Sequence, residues 1–125
     1  MEMNNRVFIS YSEKEMIPYA VAYLRNYFPR WEGWEMQFTH YDSPCSPDFV
    51  IERFKENKLH RVIVEVEQSI KITAKHINVL IRNAEILGNE SKCEVEKFLI
   101  VSEGCDTSIV PDDVKIMFLK EFKPV

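Results

Sequence analysis

The sequence predicts one α/β domain, a mixed β-sheet flanked by helices. The expected order is helix, three strands in a row, helix, strand and a final element. Three observations carry this. An apolar helical period opens the chain, a tight-turn signal separates two strand-like runs, and a second helical period interrupts the strands. A length of 125 residues suits a single core, so residues 1–125 are read as one domain.

Residues 6–11 (RVFISY) mix β-branched and aromatic types and read either as a strand or as the lead-in to the first helix. Ser12 with Glu15 forms a capping box, and Ile17, Ala20, Val21, Leu24 and Phe28 follow at helical spacing. Tyr19, Tyr23 and Tyr27 make a second stripe, read as half-buried packing. Pro18 kinks this helix or begins it, and Pro29 ends it. Residues 34–41 alternate as a strand, residues 42–47 are a turn-rich loop, and residues 48–54 form a second strand. Glu56, Asn57 and Lys58 suit a hairpin turn, and residues 61–68 (RVIVEVEQ) are the clearest strand. Thr73 caps the next helix and Gly88 ends it, with Ile77, Leu80, Ile81 and Ala84 as its apolar face. Residues 89–93 read as a polar loop and residues 97–102 as a strand. Residues 114–122 suit a last strand or a short helix. The hairpin between strands two and three is what makes the sheet mixed rather than simply alternating.

Composition narrows the function. Hydrophobic residues make up 46% and charged residues 29%, which excludes wholesale disorder. No apolar run approaches the roughly 20 residues of a membrane span, so no membrane partner is expected. The polar start has no signal-peptide character, and the odd set Cys45, Cys93 and Cys105 lacks zinc spacing; together they suggest a reducing cytoplasm. Three glycines exclude a glycine-rich phosphate loop. A net charge of −4 is unlike a strongly basic nucleic-acid binder, yet a carboxylate site needs acids and its metal ions reverse the local field. His40, His60 and His76 are scattered and read as surface or packing residues. No Ser/His/Asp or Cys/His nucleophile set can be argued from residue order, and Cys45 has no assigned role.

The chemistry gathers on the third strand. By its period of two, Val62, Val64 and Val66 face one way and Ile63, Glu65 and Glu67 the other. The two glutamates lie about 6–7 Å apart along the strand and repel unless a cation or solvent separates them. Asp48 stands nine residues before Asn57, and Glu65 and Glu67 stand eight and ten residues after it. A hairpin therefore brings all three acids to its open end. Three oxygen-rich side chains at one point suit a hard cation, Mg²⁺ or Mn²⁺.

The run Pro47-Asp48, hairpin, Glu65-Val66-Glu67 resembles the motif of the PD-(D/E)XK nuclease superfamily in its E-x-E variant, with Glu67 where the family usually has lysine. The resemblance implies a restriction-endonuclease-like core and metal-assisted phosphodiester hydrolysis. Asp48 and Glu65 would hold the metal. Glu67 would orient the attacking water, with Lys71 or Lys75 supplying the missing positive charge. Lys71, Lys75, Asn78 and Arg82 recur at spacings of four, three and four, a polar stripe on the second helix able to track a phosphate backbone. The expected partner is nucleic acid, DNA before RNA, and the small surface of one domain suggests a homodimer.

Residues 6–15 (RVFISYSEKE) are also similar to the opening of a TIR domain. That resemblance implies signalling or NAD cleavage, a first strand at residues 6–11, a helix over residues 49–59 and Glu85 as catalytic acid. The V-E-V-E strand and the absent second box of that family oppose it. A third class is a nuclease-like fold without catalysis, acting as a binding module.

Overall fold

The computed structural model describes residues 2–38, 47–91 and 93–122 of the chain, with the side chains of residues 2–14, 38, 90 and 91 left aside. Among the described residues it is an α/β fold of two helices and a five-stranded mixed sheet. The elements run α1 (Glu2–Tyr27), a 3₁₀ turn (Arg30–Glu32), β1 (Glu35–Phe38), β2 (Phe49–Lys55), β3 (Lys58–Glu67), α2 (Ala74–Ser91), β4 (Val95–Ser102) and β5 (Val114–Leu119). The expected order of elements is the observed one.

The strands lie side by side in chain order. β1–β2 and β2–β3 are antiparallel; β3–β4 and β4–β5 are parallel. The change of direction falls at β3, where the hairpin meets the crossover through α2. The alternation along β3 sorts its side chains as expected. Val62, Val64 and Val66 join Met16, Ala20 and Leu24 of α1 in one core. Ile63 joins Ile77, Leu80 and Ala84 of α2, with Val50, Leu99 and Val101, in the other. The helices thus cover opposite faces of the sheet. β4 between them shows five consecutive buried residues, as a strand covered on both faces must.

Several local expectations are revised. Residues 6–11 belong to α1, since the β preference of a short β-branched and aromatic run is context-dependent and does not by itself set a strand. α1 continues through Pro18, which removes one backbone donor without ending the helix. Gly88 lies inside α2, which ends at Ser91, so residues 89–91 are helix rather than loop. Lys71 precedes α2, so it is not on that helix's polar stripe. Residues 114–119 are a strand, and residues 49–55 are β2, not the helix that goes with a TIR-like order. Cys45, His40 and most of the loop at 42–47 lie outside the described residues. Neither Cys93 nor Cys105 is in a disulfide. Among the described residues no helix is long and apolar enough to cross a membrane.

Candidate active site

The hairpin register places the acids. Lys55 pairs with Lys58 and Phe49 with Val64, so one step further Asp48 stands opposite Glu65. Both lie on the α2 side of the sheet, the side that Val50 and Ile63 share. Regular pairing ends here, since Pro47 has no N–H to give. The Asp48 side chain takes over at this end: its Oδ2 accepts the Val66 backbone N–H at 2.7 Å. Asp48 is thereby fixed to the strand that carries the other acids.

Glu65 is held from the opposite side. Asn83 on α2 is buried, and its Nδ2 donates to Glu65 Oε2 at 3.0 Å. Burial raises the Glu65 pKa to about 8, and the neighbouring charge of Asp48 adds to it, against the lowering effect of the Asn83 donor. Burial also raises Asp48, opposed by the Val66 N–H. A side-chain hydrogen bond joins the two carboxyls. Near neutral pH the pair shares a proton, because the site is too dry and too negative for both to ionise.

Glu67 is placed differently. Its Oε2 lies 3.6 Å from His76 Nε2, on the first turn of α2. His76 Nδ1 accepts the Thr73 backbone N–H at 3.0 Å and lies 3.2 Å from Thr73 Oγ1. Thr73 stands just before α2, and His76 reaches back to its N–H from the position a Glu or Gln takes in a capping box. Burial and then the charge of Lys75 pull the His76 pKa below its ordinary value. The ring is neutral near pH 7, so its contact with Glu67 is an N–H facing a carboxylate rather than an ion pair.

The cations lie around this cluster and not inside it. Lys71 is exposed and bridges to Asp106 in a short parallel pairing beyond the ends of β3 and β4. Lys75, Asn78 and Arg82 are exposed on α2. Among the described residues no group of three or more His, Cys, Asp or Glu side chains is disposed to hold a metal ion. The structure therefore brings together Asp48 and Glu65 closely, with Glu67 one strand period away beside His76.

Two hard carboxylates still fit Mg²⁺, which takes one or two protein carboxylates and leaves its other positions to water and substrate phosphate. The shared proton marks where positive charge is wanted. A cleft of about 660 Å³ lies elsewhere, at the hairpin tip, lined by Phe54, Leu59, His60 and Cys93. The acid pair lies apart from it, half-buried where the β2–β3 ladder ends.

Asn83 and His76 are the site residues that sequence reasoning passes over. Asn83 had a signal: it is a polar residue on the stripe of Ile77, Leu80 and Ala84, and such a residue is buried only with a partner. No family, curated protein or solved structure matches the chain.

Proposed function

We propose that this chain is a metal-dependent nuclease of restriction-endonuclease-like architecture, hydrolysing phosphodiester bonds in nucleic acid, with DNA as the first substrate to try. The observation that carries the reading is the Asp48–Glu65 pair, two carboxyls joined at the open end of a hairpin and held by Val66 N–H and Asn83. The order helix, three antiparallel strands, helix and parallel strand supports it.

Asp48 and Glu65 would hold Mg²⁺ or Mn²⁺. The bound ion would lower the pKa of a water and neutralise charge on the phosphate. Asn83 keeps the Glu65 carboxylate aimed, and the Val66 N–H does the same for Asp48. Glu67, beyond the pair on the same strand face, orients the attacking water. Lys75, Asn78 and Arg82 present donors to the substrate backbone from the exposed side of α2, and Lys71 does so from the loop before it. Two copies would be needed to embrace a duplex.

The test is cleavage of single-stranded, duplex and branched DNA in Mg²⁺ and in Mn²⁺, with an EDTA control and Glu65→Ala in parallel. Cutting that needs metal and disappears in the variant supports the reading. If neither protein cuts any substrate in either metal, the reading fails. A binding module without turnover then becomes the better account.

A further inference from the structure

We propose that two copies of this chain assemble through the outer edge of β5, which pairs antiparallel with its own copy and joins two five-stranded sheets into one. The inference stands apart from the nuclease reading and holds whether or not the chain cuts nucleic acid. β5 ends the sheet, so the backbone groups along its outer side face no further strand among the described residues. The strand reads VKIMFL, five apolar residues and one lysine. By alternation Val114, Ile116 and Phe118 point to the α2 side, where Val114 and Ile116 join the core. Phe118 is left 43% exposed. Lys115 is the kind of charge that ordinarily keeps an edge from pairing. Here it turns back over its own sheet: Nζ lies 5.7 Å from the centre of the Phe98 ring and 3.6 Å from Glu96 Oε1, both on β4. The opposite edge, β1, is shorter and carries Glu35 and Gln37.

Symmetry and charge select the register. A two-fold axis that pairs a strand with itself stands normal to the sheet, so opposed residues share a face and the axis passes through one residue position. Axes at Val114 or Leu119 lie at the strand ends and leave much of β5 unpaired. An axis at Lys115 sets that lysine against its own copy, and an axis at Met117 sets Asp113 against Glu121. An axis at Phe118 needs an extended chain through Phe122, but the chain turns there. Phe122 N–H donates to Leu119 O at 3.3 Å, and Glu103 N–H donates to Phe122 O at 2.9 Å. An axis at Ile116 has none of these faults. It sets Val114 against Phe118 of the other copy and Ile116 against itself, all on the α2 side. At each end of this apolar stretch it brings Asp112 opposite Lys120 of the other copy, both exposed, a pair of opposite charge. The same axis keeps both α2 helices on one side, with the two β3 strands about 24 Å apart, five strand spacings. Both acid pairs then face the same side of the joined sheet.

Variants of the whole chain test this register. Phe118 is exposed, so Phe118→Lys should leave the melting temperature of the fold near that of the parent. In sedimentation the parent is expected to dimerise as concentration rises. Phe118→Lys should raise the dimer dissociation constant at least about 30-fold, the loss of one interface anchor. Ile116→Cys places a thiol on the axis, within the span of about 7 Å between Cα atoms that a disulfide allows. Mild oxidation should link two chains through position 116, with the linked peptide identified by mass so that native cysteines are told apart. Phe118→Cys should not link through position 118, because in this register the two copies of that position stand about 13 Å apart along the strands. A parent that is monomeric at every concentration would overturn the inference. So would a dimer that Phe118→Lys leaves intact, or one that Ile116→Cys does not link through position 116.

Discussion

At the scale of single residues, the acid pair makes stability depend on pH in a definite direction. Glu65 ordinarily titrates at 4.5 and in the fold at about 8. Between those values the folded chain keeps a proton that the unfolded chain has released, so stability is full below about pH 4.5 and is lost as pH rises towards 8. One extra bound proton corresponds to a slope of about 1.4 kcal/mol per pH unit. Urea melts in EDTA should approach that slope between pH 5 and 8, and Glu65→Gln should flatten it. A parent curve that is already flat would mean that the carboxyls do not meet in solution. Asp48, Glu65 and Glu67 were legible from their distances to Asn57 along the chain. Asn83 and His76 were not, because their partners belong to another element: Glu65 for one, Glu67 for the other. Reading histidines by their spacing to cysteines misses one whose partners are a backbone N–H and a carboxylate.

Among elements, the β2–β3 hairpin decides where the site is. Its turn residues Glu56 and Asn57 both have positive φ, 54° and 64°. That is the pattern of a type I′ turn, which suits Asn-Gly far better than Glu-Asn. Changing the pair by Glu56→Asn and Asn57→Gly should stabilise the protein by about 1 kcal/mol in urea melts, without loss of cleavage. Lower stability would place the turn elsewhere and shift the register that sets Asp48 against Glu65. Arg61 ties this hairpin to the far end of α2. It pairs with Glu52 at 2.9 Å and donates to Leu87 O at 3.2 Å, a carbonyl in the last turns of the helix. Arg61→Ala should cost about 1–3 kcal/mol of stability in urea melts. The hairpin was readable because turn residues and a period of two act locally. The start of α1 was open between two readings because RVFISY suits a strand by residue type, a preference that depends on context. Gly88 looked like a stop, yet the helix continues to Ser91, since a glycine permits a helix end without imposing one.

For the whole molecule, the sheet explains why charge is tolerated at its centre. β3 and β4 are covered by α1 and α2 over most of their length, and Glu65 and Glu67 emerge only where β3 runs out toward the loop before α2. The element order was legible from periodicity and turn signals together. Which face each helix covers was not, because nothing local distinguishes the two sides of a sheet. A homodimer is the predicted assembly, and sedimentation showing only monomer at all concentrations would remove that part of the proposal. The central claim is that a hard divalent cation takes the place of the proton shared by Asp48 and Glu65. The most direct measurement is Mn²⁺ binding followed by electron paramagnetic resonance near pH 7, with proton release recorded in the same titration. The account predicts saturable binding that releases a proton and is lost in both Asp48→Ala and Glu65→Ala. Mn²⁺ that stays free, or that binds equally well to both variants, would contradict it.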